Sequence, residues 1–127
     1  MKHFIRQLFN DVLENPVFDE LLIEKYFSKE YIQIVDHSQL TYDEFVLHIR
    51  KLKEKVAEQK LDIISHAENG NIIFTHHIAK STLKDGSKVV HKVLAEFTIR
   101  NHQIIRCNEL TLLVEGNAVE RNLGSER

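Results

Sequence analysis

Glu109 lies in the apolar, β-rich run IIRCNELTLL, residues 104–113, directly after Arg106, Cys107 and Asn108. Side chains alternate along a strand, so Cys107, Glu109 and Thr111 share one face. If that face is interior, the carboxylate must be paired, hydrogen-bonded or protonated, because an isolated buried charge is too costly. His77 and His91, on neighbouring apolar segments, are the candidate partners. A carboxyl and an imidazole in one pocket make an acid–base unit. The alternative is a buried hydrogen bond that only holds the sheet in register.

Asp36 and His37 close the segment KEYIQIVDH, residues 29–37. Asp36 is in phase with Ile32 and Ile34 and points where they point. A carboxylate that is partly desolvated has its pKa raised toward the range where it can accept a proton. The plainer role for Asp36 is to cap the turn before the next helix. His37 would stand at a cleft mouth or in a surface loop. His76 and His77 look like a metal dipeptide, but adjacent strand residues point to opposite faces. Asp36, His77 and Glu109 have the ligand types of a facial triad. Their spacing does not require one, and no metal is expected. Cys107 would be nucleophilic only with a lowered pKa; a buried, inert thiol is the simpler reading.

These residues need elements to hold them. Residues 3–14 carry Phe4, Ile5, Leu8, Phe9, Val12 and Leu13 at helical spacing, and Asn15-Pro16 ends that helix. VFDELLIEKYF reads as a second short helix, followed by the strand at 29–37. A long helical pattern occupies residues 38–60. Thr41 is its N-cap, Glu44 completes a capping box, and Phe45, Ile49, Leu52 and Val56 form its buried stripe. After Lys60 the period changes to two. LDIISHAE, IIFTHHIAKSTL, KVVHKVLAEFTIR and IIRCNELTLLV are strands, separated by turns at NGN, KDGS and NHQ. About 114–127 reads as a polar tail. Helices, one strand, a long helix and four hairpin-linked strands predict an α+β domain over 1–127. By composition, Val89, His91, Val93, Ala95, Phe97 and Ile99 make the helix-facing row of the long strand. Periodicity alone leaves the closing strand open, with Arg106, Asn108, Leu110 and Leu112 the competing inward set.

The chain of 127 residues has a formal charge of −2, so no electrostatic footprint points to nucleic acid. A lone cysteine rules out an internal disulfide and a cysteine-rich zinc site. No apolar run approaches the roughly 20 residues of a membrane helix, and MKHFIRQLFNDVLENP does not read as a signal peptide. A cytoplasmic location is the expectation. No glycine-rich phosphate loop, Ser-His-Asp order or zinc motif is present, and no cofactor is expected.

YFSKEYIQIVDH, a long helix, then ENGNIIFTHH, DGSKVVHKVLAEFTI and QIIRCNEL together resemble the SnoaL-like branch of the nuclear transport factor 2-like superfamily. The resemblance covers nearly the whole chain and rests on element order and loose motifs. It implies an α+β cone, with N-terminal helices packed on a strongly curved, mostly antiparallel sheet and a cleft between them. It also puts Cys107, Glu109 and Thr111 inward, with Ile73, Thr75 and His77, and makes Asp36 or a neighbour the base. Val90, Leu94, Phe74 and Ile78 would then lie outside on a face too apolar for solvent, which implies a homodimer packed sheet to sheet. Two positions depart from the ketosteroid isomerase pattern. Phe9 stands where that branch has a tyrosine donor, and Ala95 where it has an acid. Neither can stabilise a developing enolate.

The expectation is therefore a small, mostly apolar organic ligand in the cleft, with isomerase, cyclase or dehydratase chemistry within reach. Asp36, Glu109, His77 and His91 would carry the chemistry. Phe9, His37, Val93, Phe97, Ile99, Cys107 and Thr111 would contact the ligand. The competing expectation is a non-catalytic binding or dimeric assembly module with a filled interior.

Overall fold

The structure, a computed structural model, describes residues 2–116. It opens with helix α1 (Lys2–Leu8), which widens into a π-helical turn at Phe9–Glu14, and helix α2 (Glu20–Tyr26) follows. Strands β1 (Phe27–Val35) and β2 (Ser38–Thr41) form a short hairpin, and helix α3 (Tyr42–Lys55) crosses back. Four long strands complete the chain: β3 (Val56–Asn69), β4 (Ile72–Leu83), β5 (Lys88–Arg100) and β6 (Gln103–Glu115). They form one sheet in the order β2-β1-β6-β5-β4-β3, antiparallel except where β1 runs parallel to β6. The helices pack on its concave side. Among the described residues no helix is long and apolar enough to cross a membrane.

Local chemistry explains most of the boundaries. The Thr41 hydroxyl accepts from the Glu44 N–H, and the Glu44 carboxylate accepts from the Thr41 N–H, so the capping box starts α3 as expected. The β5–β6 turn holds Asn101 and His102 at φ of 53° and 63°, the paired left-handed conformation that tight hairpins require. Helix α3 ends sooner than its pattern suggests. Val56, expected on the helical stripe, is instead the first residue of β3, opposite Leu83. Sheet pairing there outweighs the helical preference of the polar residues that follow. Strand β2 was not foreseen, because SQLT is short and polar. At the C-terminal end, β6 runs to Glu115, one residue past the expected strand. Residues 117–127 of the expected tail lie outside the described residues.

Rings from four elements build the core. Phe27 lies 4.8 Å from Tyr31 and 4.7 Å from Phe45, and Phe9 lies 6.2 Å from Phe97, measured between ring centres. A bulge at Ile105 lets Ile104 and Cys107, three residues apart, both turn inward. The opposite, convex face leaves Phe74, Leu94, Leu110 and Leu112 exposed.

Candidate functional site

A cavity of about 110 Å³ lies between the concave sheet and the elements that roof it. Its apolar wall comes from Phe9 and Leu13 of the π-helical turn, Phe45 and Ile49 of α3, and Val93 and Phe97 of β5. The sheet contributes the polar groups. Register sets which of them meet: β5 Ala95 faces Glu109 and Thr75, and β5 Val93 faces Thr111 and His77.

Glu109 is half-buried and turned into this cavity. Burial, and then the negative charge of Asp36, push its carboxyl up to about 7. Among the described residues its side chain has no hydrogen-bond partner. Its cross-strand neighbour is the small Ala95. This settles the phase of β6 in favour of Cys107, Glu109 and Thr111.

His77 is buried, with its ring 4.9 Å from that of Phe9. Its Nδ1 shares a 2.9 Å hydrogen bond with the Thr75 hydroxyl. Burial, with the neighbouring positive charges of His76 and Arg6, pushes His77 down to about 4, so it is neutral near pH 7. It is therefore not the ionic partner proposed for Glu109, since a nearby carboxylate would raise an imidazole rather than leave it depressed. His91 is buried and lines the cavity, opposite Ala79 and Leu113. His76 lies on the other face of β4 from His77. Among the described residues no three His, Cys, Asp or Glu side chains are grouped to hold a metal ion.

Cys107 is buried beside Tyr31. Burial, and then the charge of Glu109, raise its thiol well above the ordinary range, which makes it unreactive. Phe9, Val93, Phe97, Cys107 and Thr111 line the cavity. Three expected site residues do not. Ile99 sits past Phe97, near the β5–β6 turn, and packs against the core instead. His37 is exposed in the turn between β1 and β2.

Asp36 is the larger correction. The buried face of β1 carries Tyr31, Gln33 and Val35, while Ile32 and Ile34 are only half-buried. Asp36, in phase with the two isoleucines, is exposed and lies outside the cavity. Its carboxylate accepts from the Thr111 N–H at 2.8 Å and from the Thr111 hydroxyl at 2.7 Å.

Several cavity groups were missed from sequence. The Tyr31 phenol, fully buried, donates to Gln33 Oε1 at 2.7 Å. His48 lines the roof from α3, and Gln59 and Ser81 line the far wall. His48 had a legible signal, standing three residues after Phe45 and four before Leu52 on the buried stripe. Tyr31 and Gln33 had none, because either face of β1 has two apolar residues.

No protein-family model matches the chain. An uncharacterised protein of Schizosaccharomyces pombe is 31% identical to it over 122 residues, covering 96% of this chain and 93% of that protein. Solved structures share the fold at lower identity. An epoxide hydrolase of Mycobacterium tuberculosis, of the LEH-like type, superposes with a TM-score of 0.71 at 16% identity over 87% of this chain and 84% of that one. A protein of Jannaschia described as a candidate SnoaL-like polyketide cyclase gives 0.71 at 11% identity over 87% and 83%. A candidate hydroxylase from Streptomyces galilaeus gives 0.74 at 11% identity over 98% and 80%. The chain belongs to one family with the Schizosaccharomyces pombe protein, and it shares the α+β cone fold of these solved structures.

Proposed function

We propose that the protein binds a small, mostly apolar organic molecule in the cone cavity, and that Glu109 exchanges a proton with it. One observation carries this reading: an acid near the middle of its titration at neutral pH faces open space with no partner among the described residues. A general acid or base works best when its pKa lies close to the working pH. Structures of this fold named as a candidate polyketide cyclase and an epoxide hydrolase support a reaction class of proton transfer during ring closure or ring opening. Volume narrows the ligand. A dry cavity of about 150 Å³ holds benzene, so the 110 Å³ here suits roughly one ring or a short branched chain, not a steroid. Phe9 and Ala95 offer no hydrogen-bond donor to such a ligand, while Gln33 and Tyr31 stand within the cavity wall.

A thermal-shift screen of small ketones, lactones, epoxides and single-ring aromatics tests the reading. A ligand at ten times its Kd stabilises the native state by about 1.4 kcal/mol, which is readily seen. Hits that vanish on filling the cavity with Val93→Phe support the reading. For a hit that is turned over, Glu109→Gln keeps binding and loses catalysis. A panel without a single hit favours the competing module with no ligand.

The convex face supports a second feature of the reading, a twofold homodimer packed sheet to sheet. Leu94 and Leu110 are neighbours on β5 and β6, exposed at 51% and 62%, and Phe74 and Leu112 extend the patch. Solvent is a poor cover for so much contiguous apolar surface. Leu94→Lys with Leu110→Lys is expected to convert a dimer to a monomer in sedimentation; a parent that sediments as a monomer refutes the dimer. The reading also takes the protein to be cytoplasmic, in keeping with its single, free cysteine.

A further inference from the structure

The geometry points to Asp36 as the positioning residue that fixes Glu109 in the cavity wall, an inference that rests on Glu109 being the acid–base group. Strand β1 ends at Val35, which lies opposite Glu109 in the parallel ladder. The next N–H, that of Asp36, donates to the Glu109 carbonyl at 2.9 Å. In a regular parallel ladder the Asp36 carbonyl would then accept from the Thr111 N–H. Asp36 instead takes a left-handed φ of 52° and turns the chain into β2. Aspartate tolerates that conformation better than most residues. Its side chain fills the vacated place in the ladder, with Oδ1 taking the Thr111 N–H and Oδ2 the Thr111 hydroxyl. Three hydrogen bonds to one residue thus tie β6 down at the Glu109 carbonyl and at Thr111, two residues further on.

Asp36 is exposed and lines no part of the cavity, so it acts on a ligand only through the lining residues it holds, Glu109 and Thr111. Its negative charge adds a second effect in the same direction, favouring the neutral acid next to it. The other titratable groups around the cavity are Tyr31 of β1, Cys107 of β6, His77 of β4, His91 of β5 and His48 of α3. Substitution at position 36 leaves all of them in place.

The experiment needs no ligand, so it separates failure of this inference from failure of the proposed function. The Glu109 side-chain carboxyl is titrated by carbon-13 NMR in the parent, in Asp36→Asn and in Asp36→Ala, while hydrogen exchange reports the Thr111 amide. Asp36→Asn keeps an acceptor and removes the charge. The Glu109 midpoint is expected to fall by roughly half a pH unit, the order for one like charge in partly solvated surroundings, with Thr111 exchange near the parent's. Asp36→Ala removes the clamp, and Thr111 exchange is expected to rise about tenfold or more as that end of β6 opens. Should the alanine variant fail to fold, the asparagine variant decides alone. A Glu109 midpoint that Asp36→Asn leaves unmoved overturns the inference, as does an alanine variant with parental Thr111 exchange. Either result would stand even if ligands still bind.

Discussion

Glu109→Gln exchanges an acid for a side chain of the same shape that does not ionise, and the pH dependence of stability should register the difference. The folded carboxyl sits at about 7, against 4.5 in ordinary surroundings. At about 1.4 kcal/mol per pH unit, that gap is worth roughly 3 kcal/mol. The sign follows from proton counts. Below about pH 4.5 both states hold the proton, and Glu109 imposes no penalty. Between there and about 7 the folded state keeps a proton that the unfolded chain has lost, so stability falls as pH rises. Above 7 the folded protein carries the full cost of a charge in the cavity. Glutamine pays nothing at any pH. Its stability relative to the parent should therefore climb by about 3 kcal/mol from pH 4.5 to 8, or nearer 1 to 2 where water reaches the half-buried group. Urea unfolding followed by circular dichroism, at one protein concentration throughout, measures this. A difference that stays flat within about 0.5 kcal/mol would mean that Glu109 ionises as freely folded as unfolded. The acid–base reading of the cavity would then fail.

Two further outcomes follow from the same structure. His77 has the opposite sign: its folded pKa is pushed from 6.5 down to about 4, so the stability it supports is full above 6.5 and is lost as pH falls through that window. His77→Gln should accordingly move the acid-unfolding midpoint to lower pH, and an unchanged midpoint would contradict a buried neutral imidazole. Thr41→Ala removes the hydroxyl that accepts from the Glu44 N–H at the start of α3 and should cost about 1 kcal/mol in urea unfolding, whereas Thr41→Ser should stay close to the parent.

Local rules reached far in this chain. Thr41 and Glu44 announced the start of α3 because a capping box is complete within four residues. The turns at Gly70, Gly86 and Asn101-His102 were legible because the left-handed conformation restricts which residues can occupy them. The inward row of β5 from Val89 to Phe97 was readable because, His91 apart, one face is apolar or small and the other carries the charges. The inward phases of β4 and β6, by contrast, came from the family resemblance.

The sequence by itself determined the class of fold, the caps and turns, the interior row of β5 and the residue types able to move a proton. These depend on neighbours within a few positions along the chain. Tertiary structure alone decided that Tyr31 and Gln33 face inward rather than Ile32 and Ile34, and that a bulge at Ile105 resets the phase of β6. It also decided that Asp36 grips Thr111 outside the cavity while Glu109 stands inside it. The facing of β1 and the grip of Asp36 depend on residues some 75 positions apart meeting across the β1–β6 ladder, and the bulge on the pairing of β5 with β6. A carboxylate's surroundings, and hence its proton affinity, are set by whatever the fold brings beside it, and alternation along one strand carries no record of that.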